Sequence, residues 1–336
     1  MRIPPIDLKD DLVTDFYRKT VLIAGGALVA LKAGEMFGAF YADRFSKNWP
    51  CHMRRSRVRN EIAVYKRMGS DESQNCILLV HGMGNSSVSL VRLGEEIAEF
   101  TGRSVIRYDR PGYGASRFCT DAPYSVTQSM DELVEIIRWL HEQYHRVTVV
   151  GHSFGGLLAH LALMRLEEPN WCDALLIEPS HLHEAVRDPK RMMGVMLGVE
   201  ELKNRHLLSP FGGELLDASI GPRALDGRRH PYIDAVRRER RSGRCVRATR
   251  REFTTLANLL FDGTVTRAPQ PSANVRVVAS ARSIGDARQK KLFSEYICTP
   301  ADLTILDETS HETIILDRHA VKRIAQLVDG GAVHAA

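Results

Sequence analysis

Residues 147–156 read Val-Thr-Val-Val-Gly-His-Ser-Phe-Gly-Gly, and they carry the strongest indication of the fold in this sequence. Its β-branched, mostly apolar beginning favours a strand, and an apolar helical pattern follows over residues 157–166. A serine between two glycines at a strand-to-helix turn is the pattern of a nucleophile elbow. Gly151 and Gly155 have no Cβ, so neighbouring segments can approach closely and the hydroxyl of Ser153 would stand clear of the chain.

Further apolar runs on both sides of this turn predict the rest of a sheet. They alternate with amphipathic helical patterns, and each run is nearly continuous, which is typical of a parallel sheet covered by helices on both faces. An alternating pattern before them predicts an antiparallel strand or hairpin over residues 57–65. The predicted buried strands are residues 76–80, 104–108, 147–150, 174–177, 275–279 and 303–306. A helix is predicted from about residue 88 to residue 100, with Asn85 or Ser86 as its cap.

The strand rhythm stops between residues 181 and 273, where only short helical patches occur. We therefore predict an α/β fold in four segments. They are an N-terminal apolar or amphipathic segment at 1–50, the first part of the core at 55–180, an inserted, mainly helical cap at 181–273 and the second part of the core at 274–330. The 336 residues and 44% hydrophobic content suffice for one large domain with such an insertion.

Residues 21–41 form an apolar stretch about long enough to cross a bilayer. Lys32 and Glu35 lie within this stretch and make a membrane span costly. The pattern also suits an amphipathic helix that packs on the domain or lies on a membrane surface. We predict a cytoplasmic protein in which this segment is the candidate for membrane association.

The cysteine and histidine patterns indicate neither a metal site nor a redox site. The six cysteines are scattered without a Cys-x-x-Cys pair, which fits reduced thiols in a reducing compartment. The thirteen histidines include no His-Glu-x-x-His motif. We therefore expect no metal and no organic cofactor.

Ten arginines lie between Arg228 and Arg251, in a chain whose net charge is only +5. A nucleic-acid surface would need aromatic side chains for stacking or a known binding module, and Tyr232 is the only aromatic residue in the run. We therefore expect no nucleic acid as a partner. A solvated face is the first interpretation, and contact with an anionic membrane surface or an acidic substrate is the second.

Four motifs together resemble the α/β-hydrolase fold superfamily from about residue 62 to residue 328. They are His-Gly-Met-Gly at 81–84 after the third predicted strand, Asp-Arg-Pro-Gly-Tyr-Gly-Ala-Ser at 109–116, the elbow around Ser153, and Ser-His-Glu at 310–312 before the last predicted helix. The resemblance implies a mostly parallel central sheet covered by helices, with an inserted, mainly helical cap. It is specific to the superfamily and not to a substrate.

The resemblance also implies a catalytic triad. Ser153 is the candidate nucleophile, and His311, in a loop after the last strand, is the candidate base that takes its proton. The acid that orients the histidine has two candidates. Glu178 ends the strand after the elbow helix, where an unpaired carboxylate would be costly. Asp286 follows the strand after the cap, nearer to the usual place for the acid, but its surroundings also resemble the cap of a helix. We prefer Glu178.

The same resemblance assigns the oxyanion hole to two backbone amides, those of Met83 and Phe154. Such donors stabilise the oxygen of the substrate as it becomes negative. Gly82 would let the loop that carries Met83 approach the serine. His81 is expected to orient this loop through a hydrogen bond and not to react.

These roles predict a serine hydrolase that cleaves a carboxylic ester, lipid esters and thioesters included, through an acyl-enzyme on Ser153. Its partner would be a small-molecule ester. Dehalogenases and epoxide hydrolases of this fold use an aspartate nucleophile, so Ser153 argues against both. Two alternatives remain: acyl transfer by an enzyme of the same fold, and a binding or receptor protein of this fold with little turnover.

Overall fold

The computed structural model describes residues 49–70, 74–119, 123–166, 170–183, 242–261 and 274–329, together with single positions between 193 and 240. The predicted N-terminal segment at 21–41 lies outside the described residues. Eight strands form one sheet: β1 (Cys51–Arg55), β2 (Glu61–Arg67), β3 (Asn75–Val80), β4 (Ser104–Tyr108), β5 (Arg146–His152), β6 (Cys172–Ile177), β7 (Val275–Ser280) and β8 (Leu303–Leu306).

The strand order is β1-β2-β4-β3-β5-β6-β7-β8. The first two strands form an antiparallel hairpin, and β2 also pairs antiparallel with β4. All the later pairings are parallel. The predicted mostly parallel sheet is therefore confirmed, and the early strand predicted at 57–65 is a hairpin whose turn falls inside that range.

Seven α-helices belong to the described residues: α1 (Val91–Thr101), α2 (Val126–His141), α3 (Phe154–Arg165), α4 (Gly243–Phe261), α5 (Ala281–Ile284), α6 (Ala287–Ser294) and α7 (Arg318–Asp329). Two hydrophobic cores lie on opposite faces of the sheet. Cys76 and Leu78 of β3 join the core that contains α2 and α3, while Ile77 and Leu79 join the core that contains α1 and α7. Successive side chains of a strand point to opposite faces, so a continuous apolar strand needs helices on both sides.

The register brings the carboxyl ends of three central strands level. Val80 of β3 lies opposite Gly151 of β5, and His152 of β5 lies opposite Ile177 of β6. The residues that follow these strands therefore meet at one edge of the sheet, which is where parallel α/β sheets bind ligands.

The segment predicted as a cap is described mainly through α4. No helix in the described part of the chain is long and apolar enough to cross a membrane. The predicted helix at about 88–100 begins as a short 3-10 helix at Ser87–Leu90 before α1, and Gly102 ends α1 in the left-handed conformation. Ser125 caps α2, because its side chain accepts a hydrogen bond from the amide of Gln128.

Candidate active site

Ser153 stands on a sharp turn between β5 and α3. Its backbone has φ 54° and ψ −122°, a region that costs a non-glycine residue about 1–3 kcal/mol. A Cβ on Gly155 would lie 2.3 Å from the carbonyl oxygen of Val80, and one on Gly151 would lie 2.6 Å from the carbonyl oxygen of Gly155. Both glycines are therefore required by close backbone contacts that hold the strained turn.

His311 reaches Ser153 from the loop between β8 and α7. Its Nε2 lies 3.0 Å from Ser153 Oγ, within hydrogen-bond distance. The carbonyl oxygen of His311 accepts a hydrogen bond of 2.9 Å from Nε2 of His152. Burial, and after it the nearby His311, lowers the pKa of His152 to about 4, so this ring is neutral at neutral pH. His152 thus anchors the loop of the candidate base, a role that its place in the sequence did not indicate.

Glu178 contacts the other side of the His311 ring. Its Oε2 lies 3.3 Å from His311 Nδ1, and the residue is 2% exposed. The backbone amide of Ser280 donates to Oε1 at 2.5 Å, and the hydroxyl of Ser283 donates to Oε2 at 2.7 Å. Burial alone would raise the pKa of Glu178, but the hydrogen bonds from His311, Ser280 and Ser283 lower it below its usual value. The carboxylate is therefore ionised at neutral pH and shares its two oxygens among three donors.

Asp286 lies elsewhere and does a different job. Its carboxylate accepts from the backbone amides of Arg288 at 2.9 Å and Gln289 at 3.4 Å, at the start of α6. It is exposed, as a helix cap commonly is. The structure thus brings Glu178, not Asp286, to the candidate base.

The loop after β3 approaches Ser153 through Gly82. A Cβ on Gly82 would lie 3.2 Å from the Cβ of Ser153 and 3.1 Å from Nδ1 of His152. The next residue, Met83, packs partly buried against the core. Phe154 is the first residue of α3, so its amide has no acceptor within the helix. Phe154 is thus next to Ser153 in the chain, and Met83 follows Gly82, which approaches Ser153 closely. The role of both amides as oxyanion donors stays a prediction.

Arg110 holds the same loop after β3 through hydrogen bonds to its backbone. Its guanidinium donates to the carbonyl oxygens of His81 and, at 3.1 Å, of Gly82. His81 Nε2 accepts from the backbone amide of Arg110 at 3.1 Å, and His81 Nδ1 lies 2.9 Å from the carbonyl oxygen of Gly82. Burial, together with the Arg110 charge, holds the pKa of His81 well below its usual value. A neutral His81 therefore orients the loop through hydrogen bonds.

Glu252 of α4 neutralises Arg110 in the interior. The two side chains form a two-point contact of 2.6 and 3.0 Å, and they are 1% and 3% exposed. Burial alone would lower the pKa of the Arg110 guanidinium, and the Glu252 carboxylate raises it above the ordinary value. Tyr113 also donates to Glu252, at 2.8 Å. This pair was missed in the sequence because its members lie 142 positions apart.

We expect Glu252→Gln to lower the free energy of unfolding by about 3–5 kcal/mol, because it leaves the Arg110 charge buried without a counter-charge. Urea unfolding measures this change. The matched control is Glu61→Gln, which removes a carboxylate 3.7 Å from Arg117 in a pair whose side chains are 40% and 70% exposed. An exposed pair contributes less than about 1 kcal/mol. Equal losses in the two variants would contradict the assigned difference.

His181, His183 and Glu295 form the group of potential metal ligands in the described part of the chain. His181 Nε2 lies 3.2 Å from Glu295 Oε2, but His181 Nδ1 accepts from the amide of His183 at 3.0 Å. A neutral imidazole that accepts at Nδ1 carries its proton on Nε2. His181 thus carries its proton on the buried Nε2 that faces Glu295, although these two atoms do not form a hydrogen bond in the described structure.

Comparisons with known proteins give the family and the fold of the chain. The model of the alpha/beta hydrolase family matches residues 77–327 of the chain. Proline iminopeptidase of Lacticaseibacillus rhamnosus (strain Lc 705) is 31% identical over 118 residues, which cover 34% of this chain and 39% of that protein. The chain thus spans about two fifths of the length of this curated relative.

Solved structures are similar over more of the chain. A carboxylesterase from the thaumarchaeon Nitrososphaera gargenis has a TM-score of 0.59 at 15% identity and covers 84% of this chain and 99% of its own. The Cif epoxide hydrolase from Acinetobacter nosocomialis has a TM-score of 0.62 at 13% identity and covers 88% and 96%. At such low identity the likeness establishes the fold alone.

Proposed function

Since the chain belongs to the alpha/beta hydrolase family, we propose that it is a serine hydrolase that cleaves carboxylic esters through an acyl-enzyme on Ser153. One observation carries the proposal. The hydroxyl of Ser153 lies 3.0 Å from Nε2 of His311, whose Nδ1 lies 3.3 Å from the buried carboxylate of Glu178. A hydroxyl, a base within reach and an acid that orients the base are what nucleophilic catalysis by serine requires.

The proposed reaction has two halves. Ser153 Oγ attacks the ester carbonyl carbon while His311 Nε2 takes its proton, and the carbonyl oxygen becomes negative next to the amides of Met83 and Phe154. Protonated His311 then gives its proton to the departing alcohol, and the acyl group stays on Ser153. In the second half, water loses a proton to His311 and attacks the acyl carbon, and Ser153 leaves with that proton restored. Glu178 stabilises the imidazolium in both halves.

The residue at the elbow favours an ester over an epoxide. Opening an epoxide in this fold requires a carboxylate as nucleophile, and a serine stands at that place here. An aminopeptidase would need a carboxylate to bind the substrate's amino group. Neither described carboxylate of the site is free for this task, because Glu178 contacts His311 as the proposed acid and Glu312 contacts Arg240 at 2.6 Å. Peptide cleavage is the second candidate, favoured by the partial identity with proline iminopeptidase.

We further propose that residues 181–273 form the cap that bounds the acyl site. Two contacts support this role. Arg240 donates to Asn85 at 2.5 Å and to Glu312 at 2.6 Å, so it bridges the loop near Gly84 and the neighbour of His311. Glu252 of α4 holds Arg110 behind the oxyanion loop. The cap would thus help to set the acyl chain that is accepted and hold the loops of the site.

A panel of p-nitrophenyl esters of increasing acyl length tests the proposal, with L-proline p-nitroanilide and an aryl epoxide as the other arms. We expect saturable ester hydrolysis, and covalent labelling of Ser153 by a fluorophosphonate, because a hydroxyl activated by His311 is the group that this probe modifies. Intact-mass measurement and peptide mapping locate the label. A competing alcohol in the assay separates hydrolysis from acyl transfer by its ester product.

Other outcomes would contradict the proposal. Preferred turnover of the prolyl anilide would favour the aminopeptidase, and turnover of the epoxide alone would exclude the serine mechanism. If no substrate reacts and the fluorophosphonate leaves Ser153 unmodified, the chain is a binding protein of the hydrolase fold.

A further inference from the structure

A cavity of about 860 Å³ has a lining that includes none of Ser153, His311 and Glu178. Its walls come from the loop after β4, from the residues before α2 and from one side of α4. Volumes of this size are typical of sites for small organic ligands. The lining residues are Gly112, Ser116, Arg117, Phe118, Cys119, Pro123, Tyr124, Arg244, Arg247, Arg250, Arg251, Thr254 and Thr255.

The charge of this cavity is one-sided. Five of its lining residues are arginines, and its lining includes no described aspartate or glutamate. Four of the five belong to α4, where like charges three or four positions apart destabilise a helix by about 0.2–0.5 kcal/mol a pair. Such crowding is relieved when an anion lies between the guanidinium groups.

Some of these cations already have partners. Arg117 is 3.7 Å from Glu61 at the surface, and Arg244 donates to the carbonyl oxygen of Gly114 at 2.6 Å. Arg251 lies with its guanidinium carbon 4.0 Å from the centre of the Phe118 ring. Within the described residues, the side chains of Arg247 and Arg250 make no ion pair or hydrogen bond. Two guanidinium groups at the cavity are therefore available to a ligand.

Two buried polar atoms of the same wall also lack partners. Nε of Arg251 and Oγ1 of Thr254 are buried without a hydrogen bond in the described part of the molecule. A buried donor that stays unsatisfied costs about 1–3 kcal/mol. Turning of these two side chains toward an oxygen-rich anion in the cavity would satisfy both donors, whereas a purely apolar ligand would satisfy neither.

We propose that this cavity binds a terminal phosphate group, such as that of an organic phosphate monoester, through Arg247, Arg250 and Arg251. Guanidinium groups match the oxygens of a phosphate with two parallel hydrogen bonds, which is the geometry that such a cluster offers. The rings of Phe118 and Tyr124 provide an apolar wall for the rest of the ligand. The site does not depend on the reaction at Ser153, and its test uses binding and not turnover.

Isothermal titration of the full chain with pyrophosphate and with AMP measures binding of free phosphates. Sedimentation with phosphatidylcholine vesicles that contain phosphatidic acid measures binding of a lipid phosphate. We expect one saturable site for at least one of these probes. Arg247→Gln combined with Arg250→Gln should weaken that binding at least about 100-fold, because each lost hydrogen bond to a charged group is worth about 1.5–3 kcal/mol.

The control is Arg318→Gln combined with Arg323→Gln on α7, which changes the net charge equally at two exposed arginines. It should bind like the wild type. Binding of pyrophosphate or AMP assigns the phosphate to a soluble molecule, and binding of phosphatidic acid vesicles alone assigns it to a lipid. The proposal is overturned if no probe saturates, if the control loses as much affinity, or if phosphatidylserine vesicles bind as well as phosphatidic acid.

Discussion

Replacing Ser153 by alanine is expected to lower kcat/KM for p-nitrophenyl esters by about 10⁴–10⁶-fold, because loss of a serine nucleophile removes nearly the whole advantage of a triad. His311 and Glu178 remain in this variant, but without the oxygen of Ser153 the proposed acyl-enzyme cannot form. Initial rates over a range of ester concentrations measure the effect, and the fluorophosphonate label should disappear with it.

Ser180→Ala is the matched control. Its hydroxyl lies 3.4 Å from Ser153 Oγ, so it is the neighbouring serine that a label could reach instead. We expect this variant to keep the label and to lose at most about tenfold in rate, the value of one ordinary hydrogen bond. Loss of labelling in Ser180→Ala with retention in Ser153→Ala would reverse the assignment.

The fold followed from local patterns wherever a segment's own sequence sets its structure. The apolar runs of β3 and β5 predict buried strands, and Gly151 and Gly155 predict close backbone approaches; in the structure a Cβ on either glycine would lie 2.6 Å or less from a carbonyl oxygen. The observed ends of helices and strands differ from the predicted ends where they depend on residues elsewhere in the chain. The first turn after Ser86, for example, is a 3-10 helix. The amide of its first residue, Ser87, donates to the carboxylate of Asp109, which is distant in the chain.

The site was predictable in part because only some of its groups have a local signature. Ser153 and His311 belong to short motifs. His152 and Arg110 also lie inside quoted motifs, but their roles, like those of Ser283 and Glu252, depend on contacts with residues that are distant in the chain, which a local pattern does not show. Two local signals separated the candidate acids: Glu178 ends a buried strand, and the residues after Asp286 have a capping pattern, which the structure shows as a helix cap.

Contacts within the site also explain why an acid at the end of β6 can serve a histidine after β8. The resemblance places the acid a few residues past β7, where Arg282 or Ser283 stands here, and the hydroxyl of Ser283 donates to Glu178. Glu178 has φ 48°, a left-handed backbone conformation that is strained for a non-glycine residue, at the point where β6 ends. Ser283, which follows β7, thus helps to hold the carboxylate of Glu178, which follows the neighbouring strand β6.

Glu178→Gln is expected to lower kcat by about 10³–10⁴-fold with little change in KM, the size expected when the histidine is held in the wrong tautomer. The amide of Ser280 is an obligatory donor 2.5 Å from Oε1, so the glutamine carbonyl must occupy that place. Its NH₂ group then faces Nδ1 of His311, which must accept. The ring proton moves to Nε2, and His311 can no longer take the proton of Ser153. Initial rates of ester hydrolysis at neutral pH measure kcat and KM.

Asp286→Asn is the counterpart that separates the two acids. Asparagine caps a helix as well as aspartate does, so we expect activity within about twofold of the wild type and an unfolding free energy changed by a few tenths of a kcal/mol. A loss confined to Asp286→Asn, with Glu178→Gln fully active, would mean that the carboxylate in contact with His311 is not the catalytic acid. Loss of activity in Glu178→Gln alone, with slow labelling of Ser153 by the fluorophosphonate, would show that the nucleophile is intact in that variant. The lower rate would then follow from the position of the proton on His311.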